Sequence, residues 1–498
     1  MFGRLRRVHF VGIGGVGMSG IALVLANMGF EVTGSDAKES DATRKLAAAG
    51  IRVFIGHDAA NCADAQVVVY SSAVHSENPE LASARAREIP VIRRAEMLAE
   101  LMRMKFSVAI SGSHGKTTVT SMVAHLMERA GLDPTSVIGG RVMESPISEC
   151  RMPNSAESSV ANRQSPLGAR LGQSEYLVAE ADESDRSFLA LYPTIAVVTN
   201  IEREHLDVYH DLADIKREFT RFVNRVPFYG AVVLCMDSPA VRSIRGRAKR
   251  RVVTYGVEGR GTGASDCDFR AKDVQLYGFS SAFTLLYGGK EVGRFNLPVP
   301  GMHNVANALA ALATGSELGI GFDSMAQALA VFSGVHRRLE KLGEKNGIVV
   351  FDDYGHHPTE IRVTLEALRH AFPDRRILVV FQPHRYTRTK ALADEFGTCF
   401  AAADELILTK IYAASEPEIP GVDATLILRA VETATSHKPQ ASDSGFPAGG
   451  WRLEAWSYVP ELTDVPSVLN RKLRKGDVVL IAGAGNVCTI GEEILAKP

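Results

Sequence analysis

What this chain lacks narrows its class first. Its six cysteines, at 62, 150, 235, 267, 399 and 488, include no C-x-x-C pair. That spacing argues against a zinc ribbon or a disulfide framework and suits a reducing cytoplasm. No stretch reaches the ~18 uninterrupted apolar residues of a membrane span. The largely apolar run from Val8 to Ala26 follows basic Arg4, Arg6 and Arg7, but five glycines break it, so it reads as neither a secretory signal nor a span. An excess of one charge is missing too, since 56 Lys and Arg against 57 Asp and Glu leave a net charge of −1. General attraction to nucleic acid or an anionic membrane is therefore not expected, and any polyanion has to be held by local groups of Lys and Arg. What remains, 498 residues with 46% hydrophobic and 23% charged, is ordinary globular material. It suffices for about three domains at ~150 residues each.

The stretch the rest is arranged around is Phe106-Ser-Val-Ala-Ile-Ser-Gly-Ser-His-Gly-Lys-Thr-Thr118. Val108, Ala109 and Ile110 suit a buried parallel strand, while Gly112 and Gly115 permit turns that a Cβ would obstruct. Ser113 and His114 fill the turn between them, and a helix begins near Lys116, with Thr117 and Thr118 in its first turn. The first N–H groups and the positive dipole end of that helix face a phosphate, with the Lys116 ammonium on the terminal phosphates and the Thr117 hydroxyl available to Mg²⁺. Ile110 stands where an eight-residue loop has its first glycine, so this is a shortened G-x-x-G-K-[ST].

Upstream, Val8-His-Phe-Val11 reads as a strand, and Gly12-Ile-Gly-Gly-Val-Gly17 satisfies G-x-G-x-x-G ahead of a helix reaching Met28. A second strand, Glu31-Val-Thr-Gly-Ser-Asp36, brings Asp36 close to where a dinucleotide fold puts its ribose-binding acid. Gly12, Gly14, Gly15 and Gly17 thus predict a Rossmann-like domain able to hold a diphosphate. On that fingerprint alone an NAD(P)-dependent oxidoreductase stays open, and the phosphate turn alone admits a small-molecule kinase. Val67-Val-Val-Tyr70 is a further strand and delivers Ser71 to the ligand crevice.

Between Arg141 and Ser174 the composition predicts a surface loop, an insertion at 142–168. Tyr176-Leu-Val-Ala179 resumes as a buried strand ending in Glu180-Ala-Asp-Glu-Ser-Asp185, and Ile195-Ala-Val-Val198 ends in Thr199-Asn-Ile-Glu-Arg-Glu-His-Leu-Asp207. Two apolar strands that each end in acids beside a phosphate turn predict hard-cation coordination and single out His205. Farther on, Leu297–Ala310 passes from a turn into a helix with Asn304 near its start. Four more strands, Ile348–Phe351, Arg376–Phe381, Glu405–Leu408 and Val478–Ile481, form a second dinucleotide-like sheet. Its strand ends carry Asp353, His356, His357, His384, Arg385 and Arg388. No third ligand has the spacing that zinc at His356 and His357 requires. The predicted fold class is α/β in three domains: a Rossmann-like domain over 1–105, a central P-loop ATPase-type parallel sheet over 106–333, and a second Rossmann-like domain over 334–498.

Gly-Ser-His-Gly-Lys-Thr-Thr, Glu180-Ala-Asp-Glu-Ser-Asp185 and Thr199-Asn-Ile-Glu202 with His205-Leu-Asp207 together resemble the Mur ligase family, the ATP-dependent amide-forming enzymes of peptidoglycan precursor assembly. Asp352-Asp-Tyr-Gly-His-His-Pro-Thr-Glu-Ile361 and Gln382-Pro-His-Arg-Tyr-Thr-Arg-Thr389 resemble the branch that joins L-alanine to UDP-N-acetylmuramate. The neighbouring branch, which attaches a whole tripeptide to the same sugar, is the competing reading. The resemblance runs from about Val8 to Gly491, leaving out 142–168 and a stretch near 433–450. It implies ATP and Mg²⁺ as cofactors. The expected protein is a cytoplasmic monomer or homodimer with no nucleic-acid or membrane partner.

By this resemblance Gly12, Gly14, Gly15, Gly17, Asp36 and Ser71 hold the UDP-sugar. Gly112 through Thr118, Asn304, Arg337 and Asp353 hold ATP, with Asn304 on the adenine and Asp353 on the ribose. His356, His384, Arg385 and Arg388 lie around the amino acid and the muramyl carboxylate. Thr117, Glu180 and His205 are the expected Mg²⁺ ligands. Lys116 and Mg²⁺ offset charge as a phosphoryl group passes to the sugar's carboxylate, and the amine of L-alanine then displaces phosphate from the acyl phosphate. Arg385 and Arg388 match the amino acid's carboxylate with their guanidinium forks. Ser113 stands where the family usually has Thr, and Glu204 where it has Asp.

Overall fold

The protein is described by a computed structural model over residues 5–71, 73–139, 169–261, 266–437 and 450–496. The expected insertion at 142–168 lies outside the described residues, as does most of the stretch near 433–450. The described chain builds three sheets, one after another.

The first sheet holds β1 (Arg7–Val11), β2 (Glu31–Asp36), β3 (Arg52–Ile55), β4 (Val67–Tyr70) and β5 (Val91–Arg93) in the order β3-β2-β1-β4-β5. Every pairing in it is parallel. Strand order reverses between β1 and β4, which opens a crevice at their carboxyl ends. The glycine turn Gly12–Gly17 and Ser71 sit at those ends.

The middle sheet holds β6 (Phe106–Ser111), β7 (Thr135–Val137), β8 (Ala169–Arg170), β9 (Tyr176–Glu180), β10 (Ile195–Val198), β11 (Ala231–Cys235), β12 (Arg251–Val257), β13 (Phe269–Tyr277), β14 (Ser280–Tyr287) and β15 (Lys290–Leu297). Their order is β15-β14-β13-β12-β11-β10-β6-β9-β7-β8. The sheet is parallel from β13 through β7, with β14, β15 and β8 antiparallel at the edges. Val108, Ala109 and Ile110 are fully buried because β6 is covered on both faces. With β6 between β10 and β9, the phosphate turn and both acidic segments leave the sheet side by side.

The third sheet holds β16 (Glu340–Lys345), β17 (Ile348–Asp353), β18 (Ile377–Phe381), β19 (Glu405–Leu408), β20 (Ala455–Tyr458) and β21 (Val478–Ala482), ordered β16-β17-β21-β18-β19-β20. It is parallel except for β16.

The first two lobes share one apolar core, in which Val8, Ile21 and Leu98 pack with Ala179, Phe188 and Phe219. The third lobe packs round two apolar clusters of its own, and among the described residues Phe279 of the middle lobe packs on one of them. Phe279, in the turn between β13 and β14, stacks on Phe351 at 5.1 Å and meets Phe372 at 5.3 Å. Close by, His370 Nε2 lies 3.1 Å from the Leu276 carbonyl.

Candidate active site

After β6 the chain turns at Gly112, with φ 135°, and Gly115, with φ 85°, before the helix Lys116–Arg129. A Cβ at Gly112 would overlap Thr199 Oγ1, and one at Gly115 would stand 2.7 Å from Asn307 Oδ1. The turn is fastened to the segment after β10. Ser113 N–H donates to the Asn200 carbonyl at 3.1 Å, His114 N–H to Asn200 Oδ1 at 2.8 Å, and Thr199 Oγ1 to the His114 carbonyl at 2.6 Å. Lys116 Nζ folds over the turn and donates to the Gly112 carbonyl at 2.7 Å and to Glu183 Oε1 at 2.8 Å. Burial opposes its charge, but Glu183 and Asp182 outweigh burial and raise the pKa of the ammonium.

The expected metal ligands divide into two groups. Glu180, at the end of β9, accepts from Gly139 N–H at 2.7 Å and lies against the Thr117 hydroxyl. Burial raises its pKa, against the Gly139 bond and Lys116. His205 instead gathers with Glu183 and Glu204, the donor atoms of all three lying within 4.8 Å of one another. His205 Nε2 is 3.7 Å from Glu183. Glu183 is therefore central to the site, and sequence reasoning did not single it out from the four acids of its segment. Its Oε2 is buried with no hydrogen-bond partner.

Residues of the third lobe close over these acids. Arg388 Nη2 donates to Glu204 Oε1 at 2.9 Å, with both side chains buried. Burial works to raise the Glu204 pKa, and His205, His114 and Arg388 hold it well below the usual carboxylate range. His356 Nε2 stands 3.8 Å from the same oxygen. Burial, and then the Arg388 charge, push His356 down to about 4, so its imidazole is neutral at pH 7. His384, stacked on Tyr412 at 5.7 Å, is pushed down to about 3 by burial and by His356 and Arg388. Arg385 lies 3.4 Å from Asp207 and 3.7 Å from Glu416. Thr359 Oγ1 donates to Glu202 Oε2 at 2.6 Å.

On the nucleotide side the two neighbouring arginines part company. Arg337, the expected nucleotide contact, has φ 58°, donates to Asp352 Oδ2 at 2.9 Å and to the Gly483 carbonyl at 2.7 Å, and so braces the third sheet. Arg338 is the one facing the site, 3.6 Å from Glu360 and under the charges of Asp353 and Glu180. The Asp353 carboxylate accepts from Gly355 and Leu339 N–H, each at 2.7 Å, and burial pushes its pKa up to about 6. A carboxylate has about four lone-pair sites, so two remain for a ribose. Asn304 donates to the Pro300 carbonyl at 2.8 Å and accepts from Asn307 at 3.1 Å. Asn307, which the sequence reading passed over, is the residue that reaches the phosphate turn.

In the first lobe, Gly12 and Ile13 N–H both donate to the Ser35 carbonyl. Gly14 N–H donates to Asp36 Oδ2 at 2.9 Å, so Asp36 shapes the glycine turn. Ser71 lies beside Gly12. A Cβ at Gly17 would stand 2.6 Å from Arg94 Nη1, and Arg94 reaches Asp182 of the middle lobe at 3.7 Å.

Three family models match the chain in succession: the Mur ligase family catalytic domain over residues 7–106, the Mur ligase middle domain over 110–315, and the Mur ligase glutamate ligase domain over 337–485. A UDP-N-acetylmuramate–L-alanine ligase of Trichlorobacter lovleyi is 48% identical over 498 residues, covering all of both chains. The chain belongs to the Mur ligase family. A second relative of the same name, from Sorangium cellulosum, is 49% identical over 97% of this chain and 95% of its own. Among solved structures, the UDP-N-acetylmuramate–alanine ligase of Thermotoga maritima superposes with a TM-score of 0.75 at 27% identity, covering 98% of each chain. The three-domain α/β architecture is the one that Mur ligase shares.

Proposed function

We infer that this chain is an ATP-dependent ligase that joins L-alanine to the carboxylate of UDP-N-acetylmuramate, a step of peptidoglycan precursor synthesis. The observation that carries this reading is full-length identity of nearly half with alanine ligases, on a chain whose three lobes converge at one phosphate turn. The alanine name of those relatives favours a single amino acid over a tripeptide.

A carboxylate resists attack by an amine, so ATP must first convert it into an acyl phosphate. Lys116, beside the first N–H groups of its helix, supports the assignment of the triphosphate to this turn. Arg338, Asp353 and Asn304 are the proposed contacts to the rest of the nucleotide. Gly12, Gly14, Gly15, Gly17, Asp36 and Ser71 are proposed for the UDP-sugar. Arg385 and Arg388 are proposed for the amino acid's carboxylate, with His356 and His384, which burial keeps uncharged at pH 7, as neutral polar neighbours of that group. The oxygen-rich set of Glu180, Glu183, Glu204, His205 and Thr117, with the buried unpartnered oxygen of Glu183, fits Mg²⁺. We propose two holding groups for Mg²⁺, Thr117 with Glu180 and Glu183 with Glu204 and His205; when bound, Mg²⁺ would offset charge on the transferring phosphate.

No helix among the described residues is long and apolar enough to cross a membrane. Phosphate release from ATP, measured with UDP-N-acetylmuramate against a panel of amino acids and with mass analysis of the product, tests the function. The expected result is release dependent on both the sugar and L-alanine. Release without an amine would indicate a kinase, and NAD(P) binding without ATP turnover an oxidoreductase; either would overturn the reading.

A further inference from the structure

His114 sits inside the phosphate turn, where its resemblance-based role is to hold ATP. Its surroundings say otherwise. Its N–H is taken by Asn200 Oδ1, and its carbonyl by Thr199 Oγ1 and Asn200 Nδ2, so its backbone serves the turn. Its ring points toward the third lobe. Nδ1 lies 3.2 Å from Glu360 Oε1, in the first turn of the helix Pro358–Ala371, and Nε2 lies 3.4 Å from Glu202 Oε2 of the middle lobe. The ring of His357 covers it at 4.7 Å between centroids. Thr359, one residue before Glu360, donates to that same Glu202.

We propose that His114 is a positioning residue that ties the docked third lobe to the phosphate turn through Glu360 and Glu202, so that ATP is consumed only when the amino-acid side is in place. The proposal rests on the ligase reading above. A cation between two carboxylates from different lobes fits the site's charge. Burial disfavours the imidazolium, and Glu202 and Glu360 reverse that, raising the His114 pKa to about 10. Both carboxylates are held low, Glu202 at about 2. Because the contact spans the lobes, breaking it loosens their register while leaving the phosphate turn's backbone bonds intact. Water then reaches an acyl phosphate that closure otherwise protects.

The test compares the full-length chain with His114→Gln, Glu360→Gln and the double variant. Phosphate release, amide formation and KM for ATP are measured together, with melting and circular dichroism to verify folding. Each single variant is expected to lower kcat for ligation roughly tenfold with KM for ATP within about twofold, and to release more phosphate than amide. The double variant is expected to lose less than the two single losses together, since the His114–Glu360 contact is removed either way, while the Arg338 pairing of Glu360 and the Glu202 pairing of His114 belong to one variant each. A raised KM for ATP with phosphate and amide still equal would make His114 a nucleotide ligand and overturn the proposal. Additive losses would overturn it too. If His114→Gln does not fold, Glu360→Gln at the other end of the contact decides alone by the same ratio. Absence of amide from the unaltered chain would instead refute the ligase reading.

Discussion

Lys116→Met keeps a side chain of similar length and removes its charge. Glu183, with a side chain only 3% exposed, is then left with only the His205 imidazole nearby, at 3.7 Å, in place of the ammonium. Removing one partner of a buried ion pair costs about 3–5 kcal/mol, and the 18% exposure of Lys116 puts this pair near the lower end, at ~3 kcal/mol. Adding Glu183→Gln removes the stranded charge, so the double variant is expected to regain most of that loss. Activity follows the opposite pattern. The cation proposed to face the transferred phosphoryl group is gone in both variants, and amide formation is expected to fall by on the order of 10²–10³ or more. Both tryptophans, Trp451 and Trp456, belong to the third lobe, so their fluorescence does not report on the phosphate turn. Amide hydrogen exchange over the helix Lys116–Arg129 does. Exchange protection in Lys116→Met equal to that of the unaltered chain would refute the stability argument, and restored ligation in the double variant would refute the catalytic one.

Other substitutions read other parts of the molecule. Glu80 is fully buried, yet Ser35 at 2.5 Å, Asn61 at 2.6 Å and the nearby His9 overcome burial and hold its pKa at about 2. A carboxyl held low in the fold stabilises it above its unfolded value of 4.5, and that stability drains away as pH falls toward 2. First-lobe stability measured across that range should drop by ~3 kcal/mol, a step absent in Glu80→Gln. Arg388→Ala removes a guanidinium that donates to Glu204 and that we propose for alanine's carboxylate, which predicts a KM for L-alanine raised roughly 10- to 100-fold with little change for ATP. A raised KM for ATP alone would show the roles of the lobes to be reversed. Phe279→Ala removes a half-buried ring worth about 2 kcal/mol and should increase the radius of gyration measured by small-angle scattering. An unchanged radius would show that polar contacts alone hold the third lobe.

The strands around the site were readable because parallel strands buried on both faces appear as unbroken apolar runs. Val67–Tyr70 and Glu405–Leu408 were located to the residue. The reading left β3, β5, β7, β8 and β11 to β15 unassigned, although Phe269–Tyr277 alternates more and less buried positions as a strand with one wetted face does. β16 and β20 were missed because both are edge strands whose residues are all at least partly exposed, so neither gives an apolar run. Within the site, the turn, the two acidic segments and the histidine–arginine segment all converge as expected. Which member of each segment does what was less legible. Glu183 and Glu180 sit in one run of acids, and only the fold aims one at Lys116 and the other at Thr117. Arg337 and Arg338 are indistinguishable in sequence until a positive φ at Arg337 sends their side chains different ways. Glu360 lies at the capping position three residues after His357, a signal for a helix start that hides its second role at the lobe contact.

Phe279 meets the third lobe at Phe372, just past the far end of the helix Pro358–Ala371, while Glu360 stands at its beginning. A helix of that length is about 20 Å long. The aromatic contact therefore acts as a fulcrum and the helix as its lever arm. A swing of about 10° around the ring displaces Glu360 by roughly 3–4 Å, enough to part it from His114 while the stacked phenylalanines stay together. Entry of substrates and departure of product by such a swing would break the short polar contacts at the mouth and leave the ring contact at the hinge closed.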